Sequence, residues 1–352
     1  VKISKYQEDK IENIFDQNAI AYAGVWNHIN DAKFLSNLIK MKIKVRYNEK
    51  IIKNGNLTLP RGSVIIYKGD QTELNYEKVL FELANKSNIR LHPIYSGISE
   101  FGPDLGSDSV KLVKEKKVAI LAGEDNDNVV SSLNYGSLWH FFEQELQYPL
   151  THLNVENFED INLDKFDALI IPSGYYGSIG NESNLEKIRS WISNGGNLIA
   201  FENAIRIFTN KDGFSINVKR GKYENELNDL KYDELNRNRI QNYLSGAIFK
   251  VNLDNSHPLA YGYQNEYYSL KTSTSTYENL KRGYNVGKIN EDKDSTIGFV
   301  GNKIKDKFKN SLVFGHEKIG SGNIIYFADN VMFRSFWENG KLFLVNSIFY
   351  IN

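Results

Sequence analysis

Four short apolar runs in the last two-thirds of the chain constrain its fold most strongly, because each ends abruptly at polar or small residues. They occupy residues 117–123, 167–171, 197–201 and 323–329. Apolar continuity over so few residues is typical of strands that are covered on both faces. Helical spacing lies between them, at 135–146 and 185–193. Strands that alternate with helices predict a doubly wound, mostly parallel sheet of the α/β class.

A smaller α/β domain is predicted before this series. Residues 63–67 are typical of a buried strand, 76–85 of an amphipathic helix and 89–94 of another strand. The glycine-rich stretch 97–109 is loop-like, so the sequence predicts one domain at 1–108 and a second at 109–352.

After Ala204 the pattern changes to polar stretches, short strands and turns. This pattern predicts an insertion at about 205–315 that covers one edge of the sheet.

Composition excludes several classes of function. Lys plus Arg and Asp plus Glu each total 43, so no net charge favours nucleic acid or an anionic membrane. The chain contains no cysteine, which excludes disulfides, thiolate metal sites and cysteine nucleophiles. No apolar run approaches the roughly 18 residues of a membrane-spanning helix. The first residues lack the apolar core of a signal peptide, and a start at Val1 suggests a processed chain or an excised fragment.

The ends of the predicted strands carry the candidate ligand-binding residues, because ligands of open parallel sheets bind outside the carboxyl ends of the strands. Glu202, followed by Asn203, stands at one such end. It acts as a general base or cation ligand, or it is a carboxylate held by backbone amides at a tight turn. Ser173 and Gly174 form an oxyanion-type loop or a plain turn.

Two further strand ends carry charged side chains. Glu124 and Asp125 begin a run of oxygen ligands of the kind that calcium prefers, without the spacing of an EF-hand, or they belong to a solvated loop. Asp329 is followed by Arg334, which either binds a ligand carboxylate or pairs with Asp329 to brace the loop.

A metal site is the remaining alternative. His140 and Glu143 lie three residues apart on a predicted helix, so both reach one face, and His257 follows at a distance that suits a third ligand. The neighbouring aromatic residues favour packing against a sheet instead. The chain has no zinc-protease, phosphate-binding-loop, nucleophile-elbow or dinucleotide-binding motif, so no cofactor is predicted.

Several segments in a fixed order resemble the region that follows the peptidase domain in secreted M14-type zinc carboxypeptidase-like proteins of Bacteroidetes. The resembling segments are Gly102-Pro103-Asp104-Leu105-Gly106-Ser107, residues 117–123, Gly136-Ser137-Leu138-Trp139-His140, Ile170-Ile171-Pro172-Ser173-Gly174, Gly195-Gly196-Asn197-Leu198-Ile199-Ala200, Ser256-His257-Pro258-Leu259-Ala260-Tyr261-Gly262-Tyr263, and Phe327-Ala328-Asp329-Asn330 with Phe333, Arg334 and Trp337.

The resemblance implies a class I glutamine amidotransferase-like fold, with its flavodoxin-like sheet, from about residue 115 onward. In that superfamily the strand matched by 197–201 delivers a cysteine, usually assisted by a histidine, and Glu202 occupies the matching position here. The resemblance also implies an upstream peptidase domain in the same polypeptide, a periplasmic or secreted location, and a peptide or cell-envelope ligand.

Two functional hypotheses follow. The first is a pseudoenzyme, a non-catalytic amidotransferase-like accessory or ligand-binding module of a zinc carboxypeptidase-like protein. The second is a hydrolase that uses Glu202 with Asp125 or Asp329 as paired carboxylates.

Overall fold

The computed structural model describes residues 10–123, 129–221, 230–290 and 296–352. The chain forms two compact units. The first extends to Glu115 and also includes Glu145–Tyr148, and the second comprises Lys116–Gln144 and Pro149–Asn352. No helix in these described ranges is long and apolar enough to cross a membrane.

The first unit contains seven short strands and two helices in its described part. They are β1 (Ala21–Gly24), α1 (Ile29–Lys40), β2 (Arg46–Asn48), β3 (Ile52–Asn54), β4 (Leu57–Leu59), β5 (Val64–Tyr67), α2 (Tyr76–Lys86), β6 (His92–Ile94) and β7 (Val110–Leu112). Five strands pair in the order β6-β1-β5-β2-β7, and every pair is antiparallel. Helix α1 begins at a capping box formed by His28 and Asp31, which satisfies backbone N–H groups of its first turn.

The second unit contains ten strands and five helices in its described part. They are β8 (Val118–Ala122), α3 (Ser132–His140), β9 (Leu150–Asn154), β10 (Ala168–Ile171), α4 (Glu182–Ser193), β11 (Asn197–Phe201), α5 (Leu235–Gln241), β12 (Ala247–Leu253), β13 (Glu266–Lys271), β14 (Tyr284–Ile289), β15 (Thr296–Ile297), α6 (Asn302–Phe308), β16 (Leu312–Ile319), β17 (Gly322–Phe327) and α7 (Lys341–Phe349). All ten strands join one sheet, in the order β13-β12-β14-β16-β17-β11-β10-β8-β9, with β15 paired to β12.

One half of this sheet has the expected parallel topology. Strands β9, β8, β10, β11 and β17 are parallel neighbours. Numbered along the chain, they follow the 2-1-3-4-5 order of flavodoxin-like folds. Strands β10 and β11 are buried along their whole length, and each fully buried aliphatic side chain stabilises the fold by about 1.5–3 kcal/mol.

The other half corrects the prediction of a mostly parallel sheet. Strands β12 to β16 pair only in antiparallel fashion, so the sheet is mixed. The two-residue connection Gly320-Ser321 makes β16 the antiparallel neighbour of β17, and Gly320 adopts the positive φ (+61°) that such tight turns require. The strands expected to cover an edge of the sheet therefore extend the sheet itself.

The antiparallel half also curls. Four strand intervals of about 4.8 Å would place β13 roughly 19 Å from β17 in a flat sheet. Ser269 of β13 nevertheless hydrogen-bonds Asp329, just after β17, with an Oγ–Oδ2 distance of 2.7 Å. This contact requires β13 to turn back over the carboxyl end of β17.

Strand register explains which residues meet at the carboxyl edge. Ile171 lies opposite Ala200, and Phe201 lies opposite Phe327. The residues just beyond these pairs, Ser173, Glu202 and Asp329, therefore leave the sheet at nearly the same level.

Candidate active site at the strand ends

Glu202 stands at a sharp turn directly after β11. Its φ is +46°, in the left-handed region that non-glycine residues seldom adopt, and a 3-10 segment, Glu202–Phe208, follows at once. Its carbonyl oxygen accepts a hydrogen bond of 2.9 Å from the hydroxyl of buried Tyr277. Strained backbone of this kind clusters at functional sites. The predicted strand-to-turn junction is therefore present, with a carboxylate at its apex.

Asp329 is buried beside it and has both carboxylate oxygens engaged. Lys271 Nζ lies 2.5 Å from Oδ1, and Ser269 Oγ donates to Oδ2 at 2.7 Å. Lys271 is itself only 2% exposed, and its ammonium lies 4.9 Å from the centre of the Phe308 ring. Both charged groups are thus removed from water and paired with each other.

The surroundings of Glu202 favour its protonated form. Burial, and secondarily the charge of Asp329, raise the pKa of the Glu202 carboxyl to about 7, against opposing effects of Lys271 and a hydrogen bond from the Ser173 side chain. Near neutral pH the group is therefore present in both protonation states. No histidine contributes to this environment among the described residues.

Two backbone amides of the loop after β10 donate to acceptors within the protein. Ser173 N–H donates to Asn134 Oδ1 at 2.8 Å, and Tyr175 N–H donates to the Val129 carbonyl at 2.7 Å. A Cβ on Gly174 would stand 2.1 Å from the same Val129 carbonyl oxygen, so only glycine fits. Gly174 thus permits close strand-like contact with residues 129 and 130. Because the Ser173 N–H is bonded to Asn134, it is not available to a substrate oxyanion.

The remaining sequence candidates are placed as follows. Glu124 and Asp125 lie outside the described residues. Asn203 follows Glu202 in the 3-10 segment and is partly buried. Arg334 also has a positive φ, +49°, and its guanidinium lies 5.4 Å from the Phe333 ring. Lys271, rather than Arg334, is the cation that pairs with Asp329.

The candidate metal residues are dispersed. His140 ends α3 and Glu143 lies in the π-helical segment Phe141–Leu146, and both are exposed. His257 is buried and shares a hydrogen bond of 2.9 Å with His316 of β16. In the described parts of the chain, no group of three or more His, Cys, Asp or Glu side chains is arranged to hold a metal ion.

Sequence reasoning missed four residues of the site: Asn134, Ser269, Lys271 and Tyr277. A signal existed for two of them, because Tyr267, Ser269 and Lys271 alternate along β13 and all three are buried. Their distance in sequence from Glu202 concealed the connection.

Solved structures similar to this chain include a putative ThuA-like protein from Bacteroides uniformis, with 11% identity, a TM-score of 0.40, and coverage of 66% of this chain and 89% of that one. A glutamine amidotransferase from Thermotoga maritima is 10% identical, with a TM-score of 0.36 over 61% of this chain and 76% of that one. The β-galactosidase from Bacillus circulans is 11% identical, with a TM-score of 0.37 over 61% of this chain.

The chain spans only 28% of the length of that β-galactosidase. No protein-family model matches the sequence, and no curated protein matches it. The structural neighbours therefore include glutamine amidotransferase and ThuA-like proteins at low identity.

Proposed function

We propose that the second unit is a non-catalytic, amidotransferase-like module that binds a ligand at the strand ends without transforming it. The proposal depends on which groups stand at the positions that the amidotransferase resemblance assigns to catalysis. The turn after β11 presents Glu202 instead of a thiol, and the backbone amide of Ser173, whose side chain contacts Glu202, is already bonded to Asn134.

The charged groups of the site support the same conclusion. Asp329 is engaged by Lys271 and Ser269, so its carboxylate is poorly placed to accept a substrate proton. Acyl transfer needs a nucleophile, a base and donors for the developing oxyanion. The site provides a partly protonated carboxyl and a closed ion pair in their place.

We further propose that the module belongs to a zinc carboxypeptidase-like protein and serves an upstream peptidase domain, in a periplasmic or secreted setting. The order of the motifs from Gly102 to Trp337 supports this assignment. The ligand would then be a peptide or a cell-envelope component.

The test is a turnover assay on purified protein in the presence of a metal chelator. We expect no hydrolysis of glutamine, small esters or peptides by the wild type. Glu202→Ala and the exposed control Glu278→Ala should both be indistinguishable from it. The proposal would be contradicted by hydrolysis that resists the chelator, is abolished in Glu202→Ala and persists in Glu278→Ala.

One observation favours a second candidate, a hydrolase that uses Glu202 and Asp329. Two neighbouring carboxylates, of which one has its pKa raised to about 7, are typical of acid–base pairs. This candidate predicts a pH–rate profile with an inflection near 7 that disappears in Glu202→Gln. A flat, background-level profile excludes it.

A further inference from the structure

Helices α5 and α6 border an open cavity of about 530 Å³, here called the α5–α6 cavity. Side chains three or four residues apart share one face of a helix. Leu235, Arg239 and Asn242 therefore line the cavity from α5 and its end, and Lys303 and Lys307 line it from α6. None of the described residues that line it belongs to the strand-end site. Cavities of about 300–1,000 Å³ are typical of small-molecule sites.

The α5–α6 cavity carries a local excess of positive charge. Arg239, Lys303 and Lys307 line it, and no aspartate or glutamate lies among the described residues that do so. The whole chain has 43 cationic and 43 acidic side chains, so this excess is a property of the cavity. Like charges four residues apart, such as those of Lys303 and Lys307, also destabilise a helix slightly. An anionic ligand would offset this repulsion.

Hydrogen bonds between the two helical segments hold these cations in place. The Gly301 N–H donates to the Tyr243 carbonyl at 2.8 Å, and Lys303 Nζ donates to Asn238 Oδ1 at 3.1 Å. Ile304, the neighbour of Lys303, is only 6% exposed and fixes α6 from below. A site whose groups are already positioned loses less entropy when a ligand binds.

Two exposed side chains add apolar contact area to the cavity. Tyr243 is 53% exposed and Leu235 is 45% exposed, and both line it. The Tyr243 ring lies 6.3 Å from the ring of Phe299, measured between centroids. An aromatic or aliphatic group of a ligand gains binding energy by covering such surfaces.

A phosphate group suits the three cations better than a carboxylate. Near neutral pH a phosphate monoester carries close to two negative charges, whereas a carboxylate carries one. The forked guanidinium of Arg239 binds phosphate oxygens in pairs, and the lysine ammonium groups act as point charges.

We propose that the α5–α6 cavity binds a small organic phosphate. Arg239, Lys303 and Lys307 bind its phosphate group, and its apolar group packs against Tyr243 and Leu235. This site is additional to the strand-end site, and the inference does not depend on the proposed function of that site.

The probe is phenyl phosphate, titrated into the full chain at a pH of about 7.5, where its phosphate is a dianion. Physiological ionic strength screens distant charges. We expect saturable NMR shifts of the Arg239 and Tyr243 backbone amide signals. Inorganic phosphate, which lacks the ring, and phenol, which lacks the charge, should both bind more weakly. Arg239→Gln should weaken binding of phenyl phosphate about three- to tenfold, because it removes one charged donor at an exposed site.

The matched control is Arg237→Gln, the same change on the same helix at a position that does not line the cavity. Lys307→Gln and its control Lys305→Gln repeat the comparison on α6. Both controls should leave the affinity unchanged. The inference is overturned if phenyl phosphate does not saturate the protein at millimolar concentration, or if phenol or inorganic phosphate binds as tightly. Equal losses in Arg239→Gln and Arg237→Gln also overturn it. None of these results bears on ligand binding at the strand ends.

Discussion

At position 202 the chain holds a carboxylate in backbone geometry that L-residues rarely adopt. The left-handed φ itself costs about 1–3 kcal/mol, and burial adds the cost of removing a carboxylate from water. Glycine at this position would avoid both costs. Glu202 therefore lowers the stability of the fold relative to glycine at this position, a trade-off that functional sites often show.

The raised pKa of Glu202 predicts how stability depends on pH. A carboxyl with a folded-state pKa of about 7 keeps its proton between about pH 4.5 and pH 7, where the unfolded chain releases it. The folded state binds more protons in this window, so the free energy of unfolding contributed by this group falls as pH rises through it.

Glu202→Gln removes this dependence. In urea denaturation, we compare the free energy of unfolding of the variant with that of the wild type. The variant's advantage should be about 1–3 kcal/mol larger at pH 8 than at pH 4. The exposed control Glu278→Gln should show no such gain. A difference between Glu202→Gln and wild type that is the same at both pH values contradicts the assignment.

Among the secondary-structure elements, the strands that end at the site could be predicted from the sequence. The antiparallel strands that extend the sheet beside them could not. The run 197–201 coincides with β11, and 167–171 overlaps β10, because uninterrupted apolar residues identify strands covered on both faces. The candidates Ser173, Glu202 and Asp329 followed from those strand ends. Lys271 did not, because its contact with Asp329 depends on pairing across residues far apart in sequence.

The loop after β10 gives a prediction at this scale. Gly174→Ala places a Cβ against the Val129 carbonyl and should destabilise the protein by about 1–3 kcal/mol, since the loop must shift. Gly177→Ala is the matched control, because its Cβ meets nothing within 4 Å. Thermal or urea denaturation of the two variants should differ clearly. Equal stability would mean that the loop adapts without cost.

Within the second unit as a whole, the Lys271–Asp329 pair connects the two halves of the mixed sheet. Lys271 ends β13 in the antiparallel half, and Asp329 follows β17 at the centre of the sheet. Such a pair adds little net stability, because the cost of removing both charges from water offsets their attraction.

Removal of one partner should therefore be far worse than removal of both. Lys271→Met leaves the Asp329 charge buried and should cost about 3–5 kcal/mol, and Asp329→Leu leaves Lys271 in the same position. The double variant should recover much of this loss in urea denaturation. Additive losses in the double-mutant cycle would show that the two side chains act independently.

We propose above that the strand-end site binds a ligand, such as a peptide, without turnover. The most direct measurement follows N-acetyl-Ala-Leu-Ala-amide by NMR in one sample of wild-type protein, recording both saturation of the protein signals and the integrity of the peptide over a day. We expect saturable binding with the peptide intact. Progressive cleavage of the peptide, slowed by Glu202→Gln, would contradict it.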